Sequence, residues 1–497
     1  MTKLNVFPSL LLALCMMGIG GNAEASVPIN SVNFPDAVLR NYVSTHFDAN
    51  ADNELSDAEI AVADSINLYK SHCSSLKGIE WLTALKHLNC SVNGLTEVDV
   101  SHNAELRYLN VYSTYVSKLN LSGNAKLEKL VCSYAALDSL DVSACVNLVE
   151  LNCQLNKISK LDVSHCPELS VLNCATNSLK ALDVSKNAKL RELYVFDNKL
   201  TALGIDSNAK LVLLNCTGNK LDSLDVSHNL RLTSLYCSEN NLRKLDVSKN
   251  RRLSLLMCAS NELTQLDVSG CVYLSAIDCS HNDIADLDVS QNADVVSINC
   301  SYNMLRSLDV SHNIDYLSTL KCDGNQLASL DLSHNKKLAT LSASENARSI
   351  PVSRWVKSPG DTIAFVPVDS LSAILGGGFD FAKLNQTSIT GGNIATHADG
   401  RKILAFSGSE LKYDYSTGCT SSSGASTVTF TLRADGGGTP SSGIDEVADA
   451  GKQLLSLAYY SIGGTFAGYV RPTSSGVYVQ VCRYADGSAR STKVLIK

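Results

Sequence analysis

A unit of 21 residues, repeated thirteen times, governs what this chain can fold into. It first reads cleanly as Leu85-Lys-His-Leu88-Asn-Cys90-Ser-Val-Asn93-Gly-Leu95 and runs on to Glu105. It then restarts at Leu106, Leu127, Leu148, Leu169, Leu190, Leu211, Leu232, Leu253, Leu274, Val295, Leu317 and Leu338, with one extra residue between Val295 and Leu317. Self-similarity at so short a period belongs to stacked-rung architectures, in which each unit touches only its neighbours. Counted from the leading leucine, positions 1, 4, 6, 11, 14 and 16 are apolar. Six inward side chains cannot offset the entropy of ordering a whole rung, so a rung is stable only when stacked.

Within the unit the pattern is L-x-x-L-x-[L/C]-x-x-N-x-L, the leucine-rich-repeat signature, which predicts a solenoid of parallel β-strands with few helices. Position 6 is cysteine in Cys90, Cys132, Cys153, Cys174, Cys216, Cys237, Cys258, Cys279, Cys300 and Cys322. This slot alternates with the leucine two residues earlier, so in a strand both point into the core. The expected state is a ladder of buried, reduced thiols acting as small hydrophobes, because in-register side chains point the same way and disfavour the disulfide torsion. Cys145, Cys166 and Cys271 stand at another repeat position that is normally Asn. Asn at position 9, present in 11 of 13 rungs, is expected to bond the neighbouring turn. Asp at position 15, in 10 of 12 complete rungs, is expected to accept the amide two residues on as an Asx-turn. Asp99, Ser101 and His102 offer the three residue types of a hydrolytic triad, but neighbours in one tight turn cannot form that relay. The trio also recurs, as at Asp162, Ser164 and His165, and no enzyme is predicted.

The 497 residues carry a formal net charge of -7, which points to neither nucleic acid nor a bare membrane surface. Residues 1–25 read as a secretory signal peptide: Lys3, an apolar run from Val6 to Ile19, and Ala23-Glu24-Ala25 before Ser26. No later run approaches the ~20 apolar residues of a transmembrane helix. Residues 26–80 read as a helical cap. Phe34, Val38, Leu39, Tyr42, Val43 and Phe47 fall at helical spacing, with Pro35 suited to a first turn. The loop that follows places Asp48, Asn50, Asp52, Glu54 and Glu59 as the oxygen ligands of an EF-hand-like Ca²⁺ site, with Asn53 where glycine is usual. Ser56 and Glu59 alone also read as a capping box opening the second helix.

A cap directly before the repeats covers the exposed apolar end of the first rung. Ile29-Asn30 and then Phe34-Pro35-Asp36 with Leu39 resemble the cap opening of the internalin family, and the resemblance, with period and cysteine ladder, covers residues 29 to 346. It implies a bacterial cell-surface protein acting in adhesion or invasion. Residues 81–348 would be the repeats, 349–435 a β-sandwich covering the last rung, and 436–497 a linker (Gly436 to Gly443) and tail. The tail, with Tyr460 to Gly464, Gly476 to Val481 and Lys493 to Lys497, resembles the C-terminal sorting domain of type IX secretion substrates. That resemblance implies passage across an outer membrane.

On the strand face, positions 2, 3, 5, 7 and 8 point outward, and two clusters there are not small or polar. One is Tyr108, Tyr112 and Tyr134; the other is Tyr194, Phe196, Leu213, Tyr236, Leu255 and Met257 on rungs 6 to 9. Contiguous exposed aromatics mark binding sites. The expected function is a monomeric secreted or surface adhesin engaging a host or bacterial surface protein or glycan, in host attachment or biofilm formation. The alternative is a structural matrix protein without a specific ligand.

Overall fold

The computed structural model describes residues 26–358, 361–375, 379–419 and 427–435, and strand segments between 454 and 496. The signal peptide at 1–25 and the linker at 436–443 lie outside the described residues. The chain divides into two compact units, residues 1–127 and 128–497.

In the first unit, β1 (Val27–Pro28) pairs antiparallel with β2 (Glu54–Leu55), and helices α1 (Ala37–His46) and α2 (Asp57–Val62) complete the cap. Phe34, Leu39, Val43 and Leu55 form its apolar interior, each fully buried. Asp36 caps α1, its Oδ1 accepting from the amides of Val38 and Leu39 at 2.8 and 3.2 Å. Its Oδ2 accepts from the Ser74 amide and hydroxyl, both at 2.8 Å, which ties the helix to the loop beneath it. Gly78 sits at φ 108, and a Cβ there would come within 2.4 Å of the Phe34 ring.

Three parallel strands follow in this unit: β3 (Ser65–Asn67), β4 (His87–Asn89) and β6 (Tyr108–Asn110), with Ile66, Leu88 and Leu109 in one inward column. In a separate two-stranded sheet β5 (Glu97–Asp99) pairs in parallel with β7 (Lys118–Asn120). The ladder therefore begins at β3, inside the stretch the sequence gives to the cap. Ala63 and Ser71 stand where later rungs carry leucine and asparagine, so this leading turn lacks the repeat's phrasing.

The second unit is itself a solenoid, running through β8 (Lys129–Val131), β9 (Glu150–Asn152), β10 (Val171–Asn173), β11 (Glu192–Tyr194), β12 (Leu213–Asn215) and β13 (Ser234–Tyr236). It ends with β14 (Leu255–Met257), β15 (Ala276–Asp278), β16 (Ser297–Asn299), β17 (Thr319–Lys321) and β18 (Thr340–Ser342). Each strand is parallel to its neighbours and in register at the same repeat positions. The position-6 cysteines are buried free thiols, as are Cys73, Cys145, Cys166 and Cys271. Burial pushes their ionisation up, to about 12 at Cys153 and Cys216.

Two polar ladders hold the turns. Position-9 Asn198 donates to the carbonyls of Cys174 and Val195, both at 3.1 Å, and accepts from the Leu179 amide at 3.0 Å, so one side chain binds two rungs. Position-19 Asn187 donates to Val163 and Cys166 carbonyls at 2.9 and 2.8 Å, while its Oδ1 is buried without a partner. Cysteine fits that slot because Cys271 aims its thiol at the equivalent carbonyls of Val247 and Asn250 and brings no unpaired oxygen. Between the ladders, every position-8 residue is left-handed, including Val92 at φ 57, Leu155 at φ 57 and Thr176 at φ 50.

The repeats end against two four-stranded sheets. One holds β19 (Ala347–Ile350), β26 (Thr427–Ala434), β25 (Glu410–Ser416) and β22 (Leu384–Thr390) in that order. The other holds β20 (Ser353–Ser358), β21 (Asp361–Pro367), β24 (Lys402–Phe406) and β23 (Gly392–Thr396). The short helix α3 (Leu371–Leu375) is capped by the Arg348 guanidinium on the carbonyls of Ile374 and Leu375. Buried Tyr413 donates its hydroxyl to the Ala328 carbonyl at 2.7 Å, the Leu332 amide donates to Thr417 O at 2.7 Å, and Lys383 pairs with Asp331 at 2.7 Å. These contacts cover the last rungs, which would otherwise present an apolar end. A last antiparallel sheet, in the order β28 (Phe466–Gly468), β27 (Leu454–Ser461), β29 (Gly476–Tyr484), β30 (Ala489–Ile496), follows. Among the described residues no helix is long and apolar enough to cross a membrane.

Candidate functional site

The parallel register assembles the second aromatic cluster into two adjoining columns on the strand face. One runs Tyr194, Asn215, Tyr236, Met257, and the other Glu192, Leu213, Ser234, Leu255. Phe196 stands two residues beyond Tyr194 on the same rung. All six predicted side chains are half-buried, their flanks covered by adjacent rungs and their outer surfaces open. Tyr194 donates its hydroxyl to Glu192 Oε2 at 2.9 Å; partial burial and the Glu192 carboxylate push its ionisation up to about 12. The bond to Glu192 holds the phenol in place.

Of the other cluster, Tyr108 and Tyr112 belong to the first unit and Tyr134 to the second. Tyr108 is half-buried within β6, and Tyr112 is 43% exposed. Tyr134 is 57% exposed but sits at φ 55, on the turn beyond its strand. Three exposed groups escaped the sequence reading. His281 and Tyr302, at position 8 of successive rungs, stack with centroids 4.5 Å apart, and Met304 is 45% exposed beside them. Gly324, on the next rung, leaves room for the Tyr302 ring. Near them a cleft of about 620 Å³ opens among Met304, Gln326, Glu345, Glu410, Lys412 and Arg433. Its walls come from repeats and β-module together, a juxtaposition that no local pattern announces.

The Asp, Ser and His residues of the turns have structural partners. Asp99, Asp162 and Asp225 each accept the amide of the serine two residues on, at 2.8 to 2.9 Å, and the same bond recurs at all ten position-15 aspartates. The neighbouring Ser hydroxyls contact His Nδ1 at 3.2 to 3.4 Å at five places.

In the cap loop the polar side chains bond within the loop and to its neighbours. Ser56 and Glu59 form the capping box, and Asn53 takes the left-handed conformation at φ 65. Asp48 accepts from the amides of Asp52 and Asn53 at 3.2 and 2.9 Å, and Asp52 accepts from the Glu54 amide at 2.8 Å. Asn50 donates to Asp52 Oδ2 at 2.8 Å, and the Glu54 carboxylate accepts from the Ser26 hydroxyl. Glu59 is buried, accepting from the Ala49 and Ser56 amides at 2.8 and 2.9 Å. Among the described residues no three His, Cys, Asp or Glu side chains converge as a metal site.

No protein-family model matches this chain. Internalin J of Listeria monocytogenes is 35% identical over 70 residues, 14% of this chain and 8% of that protein. The solved functional domain of InlJ from Listeria monocytogenes, which includes a cysteine ladder, is similar at 27% identity and a TM-score of 0.54, covering 83% of this chain and all of that one. A leucine-rich-repeat protein of Leptospira interrogans is similar at 25% identity and TM-score 0.51, over 55% of this chain and 75% of that one. The internalin InlF of Listeria monocytogenes shares the fold, at 20% identity and TM-score 0.56, over 64% of this chain and 98% of that one. Repeat period, thiol ladder and these likenesses agree, and the chain is an internalin-like leucine-rich-repeat protein.

Proposed function

We propose that this protein is a secreted or surface-attached adhesin whose strand face binds a partner protein or glycan on a host or bacterial cell. The observation that supports it is the patch on rungs 6 to 9, where Tyr194, Tyr236, Leu213, Leu255 and Met257 stand in register on an otherwise polar surface. Large aromatic side chains of restricted mobility supply contact area at low entropic cost, as binding hot spots do. Roles in host attachment and biofilm formation rest on the likeness to internalins. Export by the N-terminal signal and sorting by the C-terminal tail belong to the same proposal. The replacement Tyr194→Ser with Tyr236→Ser should abolish saturable cell binding while leaving the melting curve unchanged; undiminished binding by that variant would remove the patch from consideration. If the unaltered protein shows no saturable binding to host cells or partner bacteria, the matrix-protein reading takes its place.

We also propose that the loop from Asp48 to Glu59 takes Ca²⁺, with Asp48, Asn50, Asp52 and Glu59 offering side-chain oxygens and Glu54 its carbonyl. The left-handed Asn53 gives the backbone the turn such a loop needs. Calorimetric titration of the full chain should show heat that Asp48→Ala removes. Absence of heat from the unaltered protein would dismiss the site.

A further inference from the structure

Rungs 5 to 8 carry a second surface feature, on the turn that leads into each strand. Lys189, Arg191, Lys210, Arg231, Arg251 and Arg252 occupy positions 20, 21 and 2 there, and all are exposed. The strands they lead into pair in register, Glu192 with Leu213, Leu213 with Ser234 and Ser234 with Leu255, so these cations line up at a rung spacing of ~4.8 Å. Lys189 pairs with Glu168. For the other five no salt bridge is found among the described residues. Exposed Lys186 and Lys249, three residues before positions 21 on rungs 5 and 8, widen the row.

The unbroken run over four rungs is particular to this stretch, though Lys126 on rung 2 and Lys336 and Lys337 on rung 12 occupy the same positions. Position 21 is Glu168 on rung 4, Asp294 on rung 10 and Asp315 on rung 11, and the whole chain is acidic. Acids nearby in sequence offset the row in part. Asp183, Asp225 and Asp246 lie six residues before position 21 of their rungs and are engaged by serine amides. Glu192 takes the Tyr194 hydroxyl on the strand face, and Asp206 is exposed on the intervening turn, as are Asp183, Asp225 and Asp246 on theirs.

We propose that this ridge binds a linear anionic polysaccharide, sulfated or carboxylated, lying across rungs 5 to 8. Four of the six cations are arginines, whose planar guanidinium forks match sulfate and carboxylate oxygens two at a time. A straight file of cations one rung apart suits a polymer whose negative groups recur about once per sugar ring. Duplex DNA presents phosphates every ~3.4 Å along each strand and curves away from a straight file. A single nucleic-acid strand needs aromatic platforms for its bases, and positions 18, 20, 21 and 2 of rungs 5 to 8 include no Phe, Tyr or Trp. The ridge adjoins the aromatic patch but differs from it in chemistry, so it stands whether or not that patch binds a partner.

Heparin serves as the sulfated probe, hyaluronate as the carboxylated one, and a DNA duplex as the nucleic-acid comparison, each titrated into the purified full chain at low salt. Saturable binding of a polysaccharide is expected, weakening steeply as salt shortens the Debye length from ~30 Å to ~8 Å. Arg231→Glu with Arg251→Glu should weaken it by about tenfold or more, since like charges now face the polymer. Lys157→Glu with Lys160→Glu, the same charge change elsewhere on exposed surface, should not, and neither should Tyr194→Ser with Tyr236→Ser. Lys210→Gln with Arg231→Gln gives the milder substitution should the reversed pair melt early. No polysaccharide binding, equal losses from the ridge pair and the Lys157/Lys160 pair, or tighter binding of the duplex would each overturn the assignment.

Discussion

At the scale of single residues, the repeat is held by polar side chains as much as by leucine. Asn198 satisfies two carbonyls and one amide from two rungs, all buried. Asn198→Ala strands those groups, and with ~1 to 3 kcal/mol for each unsatisfied group the expected loss is about 3 kcal/mol, read by urea denaturation. Position 8 gives the opposite sign. Leu155 is held at φ 57, a conformation that costs an L-residue ~1 to 2 kcal/mol and glycine almost nothing. Its side chain is 43% exposed and gives up little packing. Leu155→Gly should therefore stabilise the protein by about 1 kcal/mol and raise its melting temperature. The left-handed column was invisible in the sequence because glycine fills it only at Gly218 and Gly324. The rest is imposed by the stack, in which position 8 donates to the next rung, as from Leu155 to Ala175. The Asn and Asp ladders, by contrast, were legible, since a residue type that returns every 21 positions reports a bond that returns with it.

Among the elements, the cap shows how one carboxylate joins local and tertiary structure. Asp36 closes the start of α1 with one oxygen and grips Ser74 with the other. Burial alone would raise its pKa; the Ser74 donors and helix amides outweigh that and lower it. Asp36→Ala should cost about 2 kcal/mol, the loss of an N-cap with an added tertiary bond, measured as an earlier denaturation midpoint. The cap's helices and its Phe34 anchor followed from apolar spacing. The start of the ladder at β3 did not, because Ala63 and Ser71 replace its signature residues while Ile66 and Leu68 still fill the core. At the strand face, the patch was readable because register carries position 3 or 5 of one rung onto the same position of the next. The cleft near Met304 was not, since part of its wall, from Glu410 to Arg433, is contributed from beyond residue 400.

For the whole molecule, the recurring aspartates make acid stability a collective property. The carboxyls of Asp141, Asp183, Asp225, Asp267 and Asp288 are held below the ordinary range by the serine two residues on. At Asp331, burial opposes the shift, and Lys383 and Ser333 outweigh it to bring the value to about 2. A depressed folded pKa means stability that is complete above the unfolded value of ~3.9 and is lost as pH falls through the folded one. Melting temperature should hold from neutrality to about pH 4 and then drop towards pH 2, more steeply than in a variant with several of these aspartates changed to asparagine. A flat profile through that window would show that the turns do not sense protonation.

The thiol column supplies a chemical clock for the order in which the stack comes apart. Between Cys132 and Cys322 each position-6 sulfur is sealed by its own rung and by adjacent ones, and each resists ionisation. An alkylating reagent attacks thiolate, so it can mark a rung only after that rung has opened. Brief labelling at rising urea, followed by peptide mass mapping, would date the opening of rungs along the series. Where Val195 interrupts the cysteines there would be a silent step between Cys174 and Cys216.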